Sequence, residues 1–306
     1  MEGFAEMWRM LRRGDGNGLP AAYVSLGPGT GEKDLTVLTS LADTGREPIY
    51  IPVDMSAEML RLQLKARGDA AGSLQRMVAV KLDFSVAANL RKLRVFLDRV
   101  VGEGTPILFS LLGNTLANFP DDQRLLKSLV DCLLTHDDDR LLLEVATSSR
   151  LDQSAADKAA KEYRGSALFM DWVTSALLAH TRNLVIGKNA VKFLPSVEEG
   201  RALVLKVVYT NTSADEKDIV LANGEEFSFP PRDTIRLELT RKYHPDAVTA
   251  LLVGAALAEC GRQKTALVDD DDTDEFGLEL VLARRDRGAK PAPDSKRLHI
   301  FGRSDD

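Results

Sequence analysis

No apolar run in this sequence approaches the roughly 20 residues that a membrane-spanning helix requires. The opening segment, Met1–Arg13, contains Glu2 and Glu6 and no long apolar core, so it does not read as a secretory signal. Cysteine is scarce. Cys132 and Cys260 are the only two, both in apolar stretches read as helical, and are expected as free thiols of a reducing, cytoplasmic setting. The four histidines, His136, His180, His244 and His299, lack the spacing of a zinc site, and no metal is expected. Basic blocks are missing too. A net charge of −6 argues against a general nucleic-acid binder, and the lack of apolar spans against a membrane partner.

What is present is an ordinary globular composition, 44% hydrophobic and 28% charged, over 306 residues. From Ala21 strand and helix patterns alternate. Strands are expected at Ala21–Leu26, Pro48–Val53, Met77–Leu82, Pro106–Leu112 and Arg140–Val145. Between them lie helical patterns at Lys33–Leu41, at Ala57–Ala66, over Leu90, Leu93, Leu97, Val100 and Val101, and over Leu126, Leu129, Val130 and Leu133. Such alternation predicts an α/β fold with a parallel sheet and right-handed crossovers. The rhythm changes near residue 150. Ser154–Leu184 reads as helix interrupted near Gly165, followed by strand-like Ala202–Tyr209, Asp218–Leu221 and Glu226–Phe229, an antiparallel insertion. Asp233–Leu239 is a further strand, Pro245–Glu259 a helix closed by Gly261, and Thr265–Val268 and Phe276–Ala283 the last strands. The expected organisation is an N-terminal helix and linker (1–20), a cofactor-binding core (21–150), an inserted substrate subdomain (151–232), a return to the core (233–286) and a flexible tail (287–306). Phe4, Met7, Trp8 and Leu11 form the stripe of a short amphipathic helix before a glycine-rich joint, either packed on the main domain or serving as a flap.

The chemistry concentrates at the carboxyl ends of the strands. Gly27-Pro28-Gly29-Thr30-Gly31 follows the first strand and opens a helix, exposing backbone N–H groups to a ligand. Its third glycine comes one residue too early for the dinucleotide fingerprint, which disfavours a nicotinamide oxidoreductase and suits S-adenosylmethionine (SAM). Asp54 ends the second strand, where a carboxylate accepts from both ribose hydroxyls; Asp83, followed by Phe84, ends the third, where an acid accepts from an adenine amine. Helix capping is the alternative for each acid. The fourth strand runs into Gly113-Asn114-Thr115-Leu116-Ala117-Asn118-Phe119, two amides and a hydroxyl over the crevice where α/β sheets bind ligands. Turn formation is the alternative for the asparagines. The acidic run Asp269–Glu275 reads as a solvated loop before a cation site, and His244 as a helix-start histidine before a base.

Three stretches occur in order: Leu26-Gly27-Pro28-Gly29-Thr30-Gly31-Glu32-Lys33, the Tyr50-x-Pro-x-Asp54-x-Ser56 pattern, and Leu112–Phe119. With Arg236-Leu237-Glu238-Leu239-Thr240-Arg241-Lys242-Tyr243 downstream, they resemble the histidine-specific methyltransferase family, over roughly residues 23 to 285. The resemblance implies a Rossmann-like class I methyltransferase sheet with an α+β insertion, and SAM as cofactor. It implies cofactor contacts from Gly27, Gly29, Gly31, Lys33, Asp54, Ser56, Asp83, Phe84 and Gly113. Substrate contacts would come from Asn114, Thr115, Asn118, Glu238 and Thr240, with Asn118 the catalytic residue that holds the substrate's amine or carboxylate. The chain departs from the family in its short segment before Gly27, which lacks the family's tyrosines, and in having Thr240 where serine is usual. The expected activity is methyl transfer to the amine of a small amino-acid-like metabolite. A non-catalytic scaffold is the rival, and a second copy or a partner subunit is a candidate for completing the pocket.

Overall fold

A computed structural model of the chain describes residues 19–43, 47–69, 76–266 and 275–288. The Phe4–Leu11 stripe, the glycine-rich joint, most of the acidic run and most of the expected tail lie outside the described residues.

The five expected core strands are β1 (Ala22–Leu26), β2 (Ile49–Asp54), β3 (Val80–Lys81), β4 (Ile107–Leu111) and β5 (Arg140–Ser148), joined by helices α1 (Glu32–Ala42), α2 (Ala57–Asp69), α3 (Ala87–Val101) and α4 (Asp122–Leu133). All four neighbouring pairs are parallel, in the order β3-β2-β1-β4-β5. Every residue of β1 and β4 is buried, which is why their sequences are apolar but for Ser25 and Ser110. Alternation divides the core. Val24 and Leu26 meet the leucines of α3 and α4, while Tyr23 and Tyr50 meet Val37, Leu38 and Leu41 of α1. The strand order reverses between β1 and β4, opening a crevice at the carboxyl edge.

The insertion begins with α5 (Gln153–Gly165) and α6 (Ala167–His180), broken at Gly165–Ser166 as expected. Strand β6 (Val191–Glu198) was not expected, because Pro195 interrupts its pattern; it is the outermost strand of the sheet, where proline is tolerated. It pairs with β7 (Ala202–Thr210), while β8 (Lys217–Val220) and β9 (Glu226–Phe229) form a separate hairpin. Strand β10 (Thr234–Tyr243) pairs antiparallel with β7 throughout and reaches β5 only through Tyr243 opposite Thr147. The strand expected to start the return to the core therefore belongs mainly to the insertion's part of the sheet.

Two further expectations are corrected. Helix α7 (Pro245–Gly254) stops short of Glu259, and Ala256, at φ 55°, turns the chain into β11 (Leu257–Ala266). Cys260 is thus on a strand, and the last pair is β11 with β12 (Phe276–Arg285). The alanine-rich Gly254–Ala258 stretch favours helix locally, but pairing with β12, which is itself antiparallel to β5, overrides that preference. The expected third strand shrinks to two residues, with Met77 bridging to Tyr50. Both cysteines are free thiols.

Candidate functional site

The crevice is floored by the glycine turn. Gly27, Gly29 and Gly31 have φ of 68°, 56° and 80°, a left-handed conformation that side chains disfavour. A Cβ on Gly31 would lie 2.2 Å from Gln63 Oε1, whereas one on Gly29 would meet nothing within 4 Å. The turn is therefore packed behind and open in front. Gln63, only 1% exposed, donates from Nε2 to the Gly29 carbonyl at 2.6 Å and holds the turn from below. Deeper still, the buried Asp34 accepts from the hydroxyls of Tyr23 (2.7 Å), Ser25 (3.0 Å) and Tyr50 (2.5 Å), pinning α1 to β1 and β2. Burial, then Asp34, raise the Tyr23 hydroxyl well above its ordinary value, so it stays a donor.

At the end of β2, half-buried Asp54 accepts backbone N–H bonds from Ser56 at 2.8 Å and from Met55. Burial pushes its carboxyl up, against those bonds. Ser56, not Asp54, caps α2, accepting from Met59 N–H. Asp83 accepts from the backbone and hydroxyl of Ser85 at 2.9 and 2.6 Å, two residues on, and Val86 rather than Asp83 precedes α3. Phe84 is buried against Phe119 and lies 3.7 Å from the place of a Gly27 Cβ, so it is part of the crevice floor. Lys33 forms an ion pair with Glu144 of β5, and the same oxygen accepts from Gly113 N–H at 2.7 Å. This links the start of α1 to the end of β4. Gly113, like Gly29, has open space at its Cβ position.

The two asparagines part company. Asn114, at φ 62°, gives its amide nitrogen to Thr240 Oγ1 (3.1 Å) and the Arg241 carbonyl (3.0 Å), and its oxygen accepts from Ala146 N–H (2.8 Å). Its polar groups are spent joining β4 to β5 and β10. Asn118 is exposed, and its amide makes no hydrogen bond among the described residues. Thr115 donates to the Leu112 carbonyl at 2.6 Å, and its methyl packs on Gly27. Arg241, overlooked in the sequence although it lies in the Arg236–Tyr243 stretch, is 4% exposed. Its guanidinium donates to the carbonyls of Ala117 (3.1 Å), Phe119 (2.8 Å) and Pro120 (3.2 Å), clamping the backbone on either side of Asn118. Asp122 braces the clamp, taking a 2.6 Å bond from Tyr243 and an ion pair from Arg201.

Facing this loop, β10 carries Glu238 and Thr240. A register shift between Arg236 and Glu238 marks a bulge, which re-aims the side chains that follow. Glu238 accepts from Leu239 N–H at 2.9 Å, and desolvation raises its carboxyl from 4.5 to about 7. Tyr163 of α5, also missed in the sequence, hydrogen-bonds Thr240 and lies within electrostatic reach of Glu238. Asn114, Thr240, Tyr163 and Glu238 thus form one group. His244 accepts from Asp246 N–H and caps α7, so it is not placed as a base.

The residues fit an adenosine cofactor. The front of the turn is open at Gly29, and among the described residues the carboxylate of Asp54 bonds only backbone N–H groups. Among the described residues no group of side chains could hold a metal, and no helix is long and apolar enough to cross a membrane.

The sequence profile of a family described as histidine-specific methyltransferase, SAM-dependent, matches residues 6–266. No curated protein matches the chain. Similar solved structures include a SAM-dependent methyltransferase from Clostridium acetobutylicum, at 14% identity, covering 92% of this chain and 90% of that one, with a TM-score of 0.42. A SAM-dependent methyltransferase from Methanosarcina mazei is 12% identical over 88% of this chain and 95% of its own, with a TM-score of 0.42. The glycopeptide N-methyltransferase MtfA is 16% identical over 92% and 95%, with a TM-score of 0.39.

Proposed function

The chain belongs to the histidine-specific, SAM-dependent methyltransferase family, and from that premise we propose that it methylates the amine of a small amino-acid-like metabolite. It is a SAM-dependent methyltransferase; its acceptor and the residues that hold the acceptor are our reading. The observation that carries this reading is the division of labour in the β4 loop. Asn114 is consumed inside the fold, while Asn118 is exposed, without a hydrogen bond among the described residues, on a backbone clamped by Arg241. In this reading Asn118 accepts an N–H of the substrate amine, orienting its remaining lone pair.

Bound SAM supplies a methyl group already activated on a sulfonium. The chain therefore has to supply position and an unprotonated nitrogen, not a strong base. Asn118 favours the neutral amine, because an amide oxygen pairs with an N–H while leaving the lone pair free. Glu238, at about 7, takes up a hydrogen-bond donor or cation at the far end of the substrate, and Thr240 and Tyr163 complete that wall. The turn of Gly27–Gly31, with Asp54 and Asp83, holds the cofactor side in the same reading.

A mass-spectrometric screen of amino acids and related amines with methyl-labelled SAM tests the proposal. One or more amines should gain labelled mass on nitrogen, and Asn118→Ala should abolish most of that turnover while SAM still binds. Label appearing on oxygen or carbon, or full turnover by the variant, would overturn it.

A further inference from the structure

A hollow in the insertion is lined by residues that the crevice does not use. It has a volume of about 990 Å³, the upper end of the range for small-molecule sites, between α6 and the free edge of β6. Met170 and Leu178 of α6 and Phe193 and Leu194 of β6 give it an apolar wall. Helix α6 is apolar around most of its circumference, yet Val173 is its only fully buried residue. A helix of that composition normally packs on all sides, and interiors normally close such volumes. On β6 Val191 and Phe193 are buried while Lys192 and Leu194 are exposed. Since all four line the hollow, it runs from the helix-covered face around the edge of the sheet.

Its charges are distinctive. Arg164 stands over the Phe193 ring, 5.4 Å from its centroid, and neither it nor Lys192 has an ion-pair partner among the described residues. The start of α6, at Ala167 behind its Ser166 cap, also lies in the wall and adds the positive end of a helix. Asp171 is the single acid among the described lining residues, so cations outnumber it. We propose that this hollow binds a small amphipathic carboxylate, its apolar chain or ring under α6 and its carboxylate between Arg164 and Lys192. None of its lining residues is among those assigned to the methyl-transfer site, and nothing in the proposed chemistry uses them.

The test is calorimetric titration of the full chain with decanoate below the concentration at which it forms micelles, with decanol and decylammonium as comparators. Decanoate should bind saturably and more tightly than either. The double variant Arg164→Gln/Lys192→Gln should bind it about tenfold or more weakly, having lost two charge-assisted contacts. SAM affinity of that variant should be unchanged, showing that it is folded. Absence of saturable decanoate binding, equal binding by the folded variant, or decylammonium binding as tightly as decanoate would overturn the proposal.

Discussion

Replacing Glu238 by glutamine separates a strained carboxyl from the rest of the site. Glutamine keeps the acceptor that receives Leu239 N–H and removes only the ionisation. The group titrates at about 7 in the folded chain against an ordinary 4.5, because desolvation outweighs the attraction of Arg236. A carboxyl raised on folding binds its proton more tightly in the native state. Its penalty is therefore absent below about pH 4.5, grows as pH rises through the interval to about 7, and is constant above it. At about 1.4 kcal/mol per tenfold change the ceiling is about 3 kcal/mol, and partial exposure reduces the expected gain for the variant to about 2 kcal/mol. Urea unfolding across pH 5 to 8.5 reads this directly. Wild type and Glu238→Gln should converge at the acid end and diverge as pH rises, with the variant the more stable. Parallel curves would refute the burial argument. If Glu238 meets the acceptor as proposed, kcat/KM of the wild type should rise with a midpoint near 7, and the variant should lack that limb.

Other residues give equally separable outcomes. Asn114→Ala leaves Ala146 N–H without its acceptor and takes a donor from Thr240 and the Arg241 carbonyl, and should cost about 2–4 kcal/mol in urea unfolding. Asn118→Ala should leave stability within about 0.5 kcal/mol and act on turnover alone. Gly31→Ala forces a Cβ to within 2.2 Å of Gln63 at φ 80°, so calorimetry should show weakened SAM binding; Gln63→Ala in the same chain should recover part of the loss, and an additive result would refute the clash. Arg241→Lys removes the fork that holds three carbonyls, and kcat/KM should fall about tenfold or more with SAM affinity unchanged.

The parts of the fold that could be read in advance are those whose signal is local. Buried parallel strands are written as apolar runs, and the turn at Gly27–Gly31 announces its left-handed backbone by composition. What escaped depends on partners distant in the chain. Asp34 reads as an ordinary acid in the first turn of a surface helix, yet it is 1% exposed and held by hydroxyls from two strands. Gln63 has no local mark at all, since its role is set by the turn thirty-four residues earlier. Asn114 and Asn118 are indistinguishable as residue types in one loop; only the approach of β10 shows which amide is already engaged. At Ala256 and in β6, pairing with a neighbouring strand decided against local preference.

Strand β10 has a consequence for how this enzyme can change. Its even positions, Glu238, Thr240 and Lys242, meet Tyr163, Glu162 and the insertion, while its odd positions, Arg241 and Tyr243, grip the loop that carries Asn118. Substitutions at Glu238 or Lys242 change that face and leave the grip intact, whereas Thr240 also receives the Asn114 amide. Gaining or losing a single residue between Glu238 and Arg241 would reverse the faces on one side of the change, turning either Arg241 away from the loop carbonyls or Glu238 toward them. The bulge beside Leu237 is the one place in the strand built to absorb such a frame shift. A change of length in this strand is therefore best absorbed before Glu238, and any exchange of the segment between β5 and α7 has to carry β10 through Tyr243 to keep the clamp.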